Sequence, residues 1–241
     1  MKVLVDIGNS SIKKMYFLNN ELKNKKTLNY SKSNLTNIYK FLEKDIKNNK
    51  TIYSCSVVPE VDKFLKKKHK NIYFLDKKLI KMLISKKVNL KQLGSDRIAN
   101  FLGCLNEFPK SKNFLIIDFG TATTIDIIKN SVYEGGIILP GLLTSYNNLI
   151  DSASLINNFK FDKTKLIYGK NTSEALLSGS YNGYSILIEG YIKKLNSLFN
   201  KKFKIAITGG YGNIFINKFK NSYFDNNLTF KGLKYYLNNF L

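Results

Sequence analysis

Two aspartates, Asp6 and Asp118, each stand directly after three apolar residues and two positions before a glycine. The segments are Val3-Leu4-Val5-Asp6-Ile7-Gly8-Asn9-Ser10-Ser11-Ile12 and Leu115-Ile116-Ile117-Asp118-Phe119-Gly120-Thr121-Ala122-Thr123-Thr124. A carboxylate ending a buried strand, a glycine turn and a tail of hydroxyls suit the holding of a phosphate and its cation. One such segment reads equally well as an ordinary turn. The repeat, one copy in each half, argues for a duplicated nucleotide-binding architecture with the site between the halves. Two carboxylates converging on one cleft would repel unless a cation lay between or beside them. Magnesium on ATP phosphates, or a monovalent ion, would supply it.

A second constellation is Gly94-Ser95-Asp96-Arg97. An aspartate in the first turn of a helix is held ionised by the helix dipole and by an arginine neighbour. It can accept a hydroxyl proton during phosphoryl transfer while the arginine holds an anionic part of the acceptor. Arg97 is the only arginine among 39 basic residues. A planar fork binds a carboxylate or phosphate in bidentate fashion, which a lysine ammonium does not. The competing reading of this segment is a plain helix start with a capping acid.

Other chemistries find less support. No Gly-x-x-x-x-Gly-Lys-Ser/Thr loop occurs, and Gly209-Gly210-Tyr211-Gly212 lacks the dinucleotide spacing. Thr208-Gly209-Gly210 would let backbone approach a flat ligand closely. His69, the only histidine, lies in a lysine run and reads as a surface residue, so histidine-based catalysis is not expected. Cys55 and Cys104 have no metal or redox spacing.

The elements that must position these groups follow from periodicity. Residues 2–7 and 12–18 read as strands joined by the Gly8–Ser11 turn. Residues 34–48 have helical spacing, 51–58 read as a buried strand ending at Pro59, and 61–69 as a lysine-faced helix. A helix should begin at Ser95 as N-cap, with Ile98, Phe101, Leu102 and Leu105 as its apolar stripe. Pro109–Asn113 marks a boundary between halves. Strands are expected at 114–118, 123–129, 132–139 and 203–207. A helix is expected from Thr172 or Ser173 to Phe199, broken at Gly179, Gly183 or Gly190, and amphipathic helices should finish the chain.

Composition bounds the class. With 44% hydrophobic residues in 241, the chain can fill one large core or two of about 110–130 residues. No apolar run reaches a membrane span of roughly 18–20 residues, and no signal peptide opens the chain, so a cytoplasmic location is expected. The net charge of +22 raises the possibility of nucleic-acid binding. Its lysines are scattered rather than gathered in a basic arm. With the abundant asparagine they resemble the drift of an AT-rich genome. A solvated lysine surface that steers anionic substrates is the preferred reading.

The two Asp-x-Gly repeats resemble those of the acetate kinase, sugar kinase, Hsp70 and actin superfamily. A further ordered series is more selective: Ser56-Val57-Val58-Pro59, Gly94-Ser95-Asp96-Arg97, Gly135-Gly136-Ile137-Ile138-Leu139-Pro140-Gly141, Gly169-Lys170-Asn171-Thr172 and Thr208-Gly209-Gly210. In this order the chain resembles the type III pantothenate kinases, from residue 2 to about 212. The resemblance implies two ribonuclease-H-like α/β domains of the actin-like ATPase kind, at about 1–110 and 111–241, with ATP in the cleft between them. It implies phosphorylation of pantothenate to 4′-phosphopantothenate by ATP with magnesium.

The family's roles then fall on particular positions. Asp6, Ile7, Gly8, Asn9, Ser10, Ser11, Ile12 and Lys13 match the loop that holds ATP, with Asp6 near magnesium through the phosphates. Thr121 matches a further ATP contact, and Asp118 the carboxylate for an activating potassium or ammonium ion. Gly94, Ser95, Asp96 and Arg97 line the pantothenate site, Asp96 as catalytic proton acceptor. Thr172 matches a threonine that reaches pantothenate across a homodimer interface. Two departures stand out. Ser10 replaces a threonine while keeping the hydroxyl. Lys86-Lys87-Val88 occupies the stretch where the family has an aromatic substrate contact, so Lys87 would either meet the substrate carboxylate or leave the contact missing. The rival expectations are an accessory transcriptional regulator of the same fold and a kinase for another small hydroxylated acceptor.

Overall fold

Apolar residues at every second position make the strands, and apolar residues at helical spacing make the helices that cover them. The computed structural model describes residues 1–30, 34–152, 161–216 and 218–241. Its elements run β1 (Lys2–Ile7), β2 (Ser11–Leu18), β3 (Glu21–Asn29), α1 (Leu35–Lys47), β4 (Ile52–Ser56), α2 (Pro59–Lys68), β5 (Ile72–Phe74) and α3 (Ser95–Glu107). There follow β6 (Phe114–Phe119), β7 (Ala122–Lys129), β8 (Val132–Pro140), α4 (Leu142–Ser152), α5 (Thr172–Leu177), α6 (Tyr184–Phe199), β9 (Lys204–Thr208), β10 (Ser222–Phe224) and α7 (Leu228–Asn239). Two compact units result. One is Met1–Lys112 with Ile128–Gly135 and Asn227–Leu241, and the other is Asn113–Ile127 with Gly136–Asn226.

The duplication seen in the motifs is a duplication of topology. The strands of one sheet are ordered β3-β2-β1-β4-β5, and those of the other β10-β9-β6-β7-β8. Each sheet therefore has its first strand, which carries the aspartate, at the centre, flanked by its second and fourth. In the first sheet β1 pairs antiparallel with β2 and parallel with β4. In the second β6 pairs parallel with β9.

In β1, Val3, Val5 and Ile7 share one face with Ile12 and Ile52 and pack on Ile38 and Leu42 of α1 and Val61 and Leu65 of α2. Alternation turns Leu4 and Asp6 to the opposite face, where α3 and α7 lie. These two helices cross closely because two glycines meet backbone. A methyl at Gly103 would run into the Leu228 carbonyl, and one at Gly232 into the Ala99 carbonyl. The second unit's core gathers Leu115, Ile117, Phe119 and Ile125 with Leu142, Tyr181, Ile188 and Phe215.

Most expected elements are present, with instructive differences. Where amphipathic helices are expected to finish the chain, the described residues after β9 form a short 3-10 turn, β10 and the one α-helix α7. Ser95 is the first helical residue of α3 rather than its N-cap. Gly94 holds the cap position, and the Ser95 hydroxyl is engaged elsewhere. His69 is 7% exposed, not a surface residue. The extended backbone after α2 turns its ring inward, where Nε2 lies 2.8 Å from the Lys50 carbonyl oxygen. The break between α5 and α6 is a single π-helical turn, Ser178–Gly183, and Gly190 lies unbroken within α6. Asparagine also has a conformational use beyond compositional drift. Asn19, Asn20, Asn24, Asn49, Asn130, Asn200 and Asn221 all have positive φ, a region that asparagine tolerates better than most residues. Asn19-Asn20 and Asn130-Ser131 turn the β2–β3 and β7–β8 connections.

Candidate functional site

In the first unit the ends of β1 and β4 and the start of α3 converge. Asp6 ends the α3-facing row of β1 and is directly opposite Lys13 on β2 and Cys55 on β4. Lys13 Nζ stands 3.5 Å from Asp6 Oδ2. The Cys55 thiol is 3.7 Å from Oδ1 and donates to it. The following loop is fixed by backbone: the Gly8 N–H donates to the Ser11 carbonyl at 2.9 Å. Tyr30 braces it from the end of β3, its hydroxyl donating to the Gly8 carbonyl at 2.6 Å and its N–H to the Ser10 carbonyl at 3.1 Å. Ile7 and Ile12 are buried in the core, so they can serve a ligand only through backbone, while Asn9 and Ser10 are exposed.

Ser95 locks α3 onto β4. Its hydroxyl donates to the Ser56 carbonyl at 2.5 Å and accepts from the Ser56 N–H at 2.8 Å. With both capacities used on backbone, the Ser95 side chain sets the position of the turn. Asp96 Oδ1 accepts from the Arg97 N–H at 2.7 Å. That carboxylate folds back over Gly94, where any side chain would collide with it. The Arg97 guanidinium lies 5.9 Å from the centre of the Tyr133 ring, a cation–π arrangement. Tyr133 is 1% exposed and forms a platform beneath the arginine.

The electrostatics tie the two carboxylates together. Burial pushes the Cys55 pKa well up, and the negative charges of Asp6 and then Asp96 push it further. Cys55 is therefore a neutral thiol lying within the field of both. Burial likewise raises the Tyr30 pKa, aided by Asp6 and Asp62, which keeps its hydroxyl a donor. The Asp62 pKa is raised by burial, against a hydrogen bond from Ser56. Neither Tyr30 nor Asp62 is singled out by a motif. Tyr30 follows a lysine-rich strand, and Asp62 looks like an ordinary acid in a helix's first turn.

The second unit repeats the strand-end carboxylate with a different setting. Asp118 pairs in register with Thr208 of β9. Gly209, at φ +90°, lies so close to the Asp118 carboxylate and Phe119 backbone that no side chain fits there. The turn after it is one residue shorter than the first. Gly120 N–H donates to Ala122 at 3.1 Å, two residues on, where Gly8 reaches three residues on to Ser11. Thr121 is exposed, and its carbonyl accepts from the Thr144 hydroxyl at 2.9 Å. Thr172 is exposed in the first turn of α5, behind Asn171, whose side chain caps the helix by accepting from Glu174 N–H at 3.0 Å. Lys87 is exposed on the 85–88 turn, which is tied to β8 by Ser85 N–H donating to the Tyr133 carbonyl at 3.0 Å.

The structure thus brings Asp6, the 8–13 loop and Gly94–Arg97 together in one unit, and Asp118, Thr121 and Thr172 occur in the other. Comparison with known proteins places the whole chain. The family model for type III pantothenate kinase matches residues 2–194. A type III pantothenate kinase of Pelagibacter ubique is 36% identical over 248 residues, covering 97% of each chain. Among solved structures, a conserved Campylobacter jejuni protein assigned to the Baf family of transcriptional activators is 28% identical. It superposes with a TM-score of 0.68 over 98% of each chain. MreB5 of Spiroplasma citri, solved with ADP, shares only 12% identity at a TM-score of 0.53, which is a likeness of fold. The chain belongs to the type III pantothenate kinase family.

Proposed function

We propose that this protein transfers the γ-phosphoryl group of ATP to the primary hydroxyl of pantothenate, giving 4′-phosphopantothenate, the first step towards coenzyme A. The observation that carries the reading is the built turn at Gly94–Arg97. A carboxylate and the only arginine are held at a helix start by Ser95 beside Asp6 and Cys55, within a chain matching the family over residues 2–194.

Each residue then has a task. The rigid 8–13 loop offers the Asn9, Ser10 and Ser11 side chains, its backbone and the Lys13 ammonium to the phosphates. Thr121 would be a further contact of the nucleotide. Arg97, supported by Tyr133, clamps the pantothenate carboxylate, and Asp96 takes the hydroxyl proton as the new O–P bond forms and the bond to ADP breaks. Asp6 and Asp118 are strand-end carboxylates followed by hydroxyl-bearing turns, and oxygen donors of this kind suit hard cations. Asp6 would hold magnesium through the phosphates, and Asp118 a potassium or ammonium ion. Magnesium, when bound, neutralises charge on the transferring group. Among the described residues no cluster of three or more acids, histidines or cysteines is placed to hold a metal ion. Thr172 would serve a second copy's pantothenate site. Leu149 on α4 and Ile186 and Leu187 on α6, all exposed, give a homodimer apolar surface to bury. No helix among the described residues is long and apolar enough to cross a membrane, and a cytoplasmic location suits the substrates.

Pantothenate-dependent ATP turnover, with the product identified by mass against a panel of other hydroxylated acceptors, tests this reading. Equal turnover of an unrelated acceptor would contradict it. The arginine fork has its own test. Arg97→Lys should raise the apparent KM for pantothenate roughly tenfold, the effect of losing one charge-assisted hydrogen bond of about 1.5 kcal/mol. An unchanged KM would show that the fork is unnecessary.

A further inference from the structure

Most lysines of this chain lie in solvent, but Lys77 is half-buried and reaches backbone. It sits in the turn after β5. Its ammonium donates to the Leu93 carbonyl and, at 3.5 Å, to the Lys91 carbonyl. Both ends of this brace are anchored. Beside Lys77, the Asp76 N–H donates to the Tyr236 hydroxyl of α7 at 3.2 Å, and the Asp76 carboxylate accepts from the Lys78 N–H at 2.9 Å. At the far end, residues 89–93 close on Asn89, whose carbonyl accepts from Gln92 and Leu93 at 3.1 and 3.2 Å. The Asn89 side chain accepts from the Lys91 N–H at 3.1 Å.

Leu93 is 4% exposed and directly precedes Gly94, the cap of α3. The ammonium is placed where burial works against its charge, lowering its pKa, while the Asp96 carboxylate favours the charged form. A solvent-facing lysine would avoid that desolvation cost. Its hydrogen bonds fix the carbonyl one residue before the turn.

We propose that Lys77 is a positioning residue for the Gly94–Arg97 turn: by holding the Leu93 and Lys91 carbonyls it fixes where α3 begins, and so where Asp96 and Arg97 meet the acceptor. This rests on the kinase reading of that turn. Ser95 holds the turn to β4 from one side and Lys77 holds it to the β5–α7 side from the other. A displacement of about 1 Å at a reacting group can cost a hundredfold in rate.

The test compares Lys77→Met, which keeps the stem without donors, with Lys77→Arg, which keeps charge and donors. Amide hydrogen exchange at Gln92 and Leu93 should speed up on the order of tenfold in Lys77→Met. The pantothenate KM should rise on the order of tenfold with the ATP KM unchanged, and Lys77→Arg should restore both. Unchanged exchange and unchanged pantothenate KM in folded Lys77→Met would overturn the proposal, as would equal rises in the KM of both substrates. Should Lys77→Met not fold, Lys77→Gln, polar but without the ammonium, is measured in its place with the same expectations. If the native protein proves not to phosphorylate pantothenate, the kinase reading falls by itself. Exchange at Gln92 and Leu93 still decides whether Lys77 holds the turn.

Discussion

Replacing Asp96 by asparagine lowers turnover by about 10²–10⁴-fold, the usual contribution of a positioned general base, and leaves the protein folded. The amide is isosteric and still offers an oxygen to the Arg97 N–H, the bond that the Asp96 carboxylate accepts at 2.7 Å. It no longer offers a charged acceptor for the hydroxyl proton. The ATP KM should stay within about twofold, because the loop at residues 8–13, proposed to bind the phosphates, is held by Tyr30 and its own backbone rather than by Asp96. Steady-state kinetics with a parallel thermal melt separates the two consequences. Near-native turnover would remove Asp96 from the role of base. Lost turnover with a lowered melting point would place it in the fold instead.

The second large effect concerns stability and lies away from the chemistry. Asp45 of α1 is fully buried and accepts from Lys14 at 2.6 Å and Lys50 at 2.7 Å, with the Tyr16 hydroxyl at 3.1 and 3.2 Å. Lys14 is itself 4% exposed and also donates to the Phe41 carbonyl at 2.7 Å. Lys50 can swing into water, but Lys14 cannot. Asp45→Ala therefore leaves an uncompensated buried ammonium and should destabilise the protein by about 3–5 kcal/mol. The double variant Asp45→Leu with Lys14→Met should recover most of that loss, since a buried ion pair is often replaceable by apolar residues of similar volume.

The pH dependence of this cluster follows from its direction of shift. Burial alone would raise the Asp45 pKa, but hydrogen bonds and charge from Lys14 and Lys50 outweigh it and leave it below the ordinary 3.8. A carboxylate with a depressed folded-state pKa adds stability above its unfolded value and loses it as pH falls through the folded one. The gap between native protein and Asp45→Ala in chemical denaturation should thus be constant near neutrality and narrow below about pH 3.8. A gap that widened on acidification would contradict the assigned charges. The cluster matters to the site because Lys14 and Tyr16 belong to β2, the strand that leaves the Gly8–Ser11 turn.

What sequence makes legible here is whatever repeats or alternates. The Asp6 and Asp118 segments announce a duplication, and the two sheets repeat one strand order. The apolar stripes of α1 and α3 mark their helices to within a residue or two. β3 escapes because Glu21-Leu22-Lys23-Asn24-Lys25-Lys26-Thr27-Leu28-Asn29 is almost all polar. Charged residues are what an edge strand carries to resist pairing with other chains. β5 and β10 are three residues each, too short for alternation to show. α7 reads as a helix, but nothing local says that it joins the first unit, a choice made by the contact of Gly232 with Ala99 and Gly103 with Leu228.

The site divides the same way. Its charged residues stand in motifs, whereas the groups that hold them, such as Tyr30, Cys55, Lys77 and Tyr133, come from distant parts of the chain and carry no local pattern. The carboxylates at this site also weigh against nucleic acid as its ligand. Asp6 and Asp96 would repel a phosphate backbone that brought no cation, while ATP arrives with one.

ATP turnover with and without pantothenate, repeated with potassium omitted, is the decisive measurement for the proposed phosphoryl transfer. ADP should form only when pantothenate is present, with 4′-phosphopantothenate in equal amount, and its formation should fall markedly when neither potassium nor ammonium is supplied. ADP formation at the same rate without pantothenate, or none under any of these conditions from a folded protein, would contradict it.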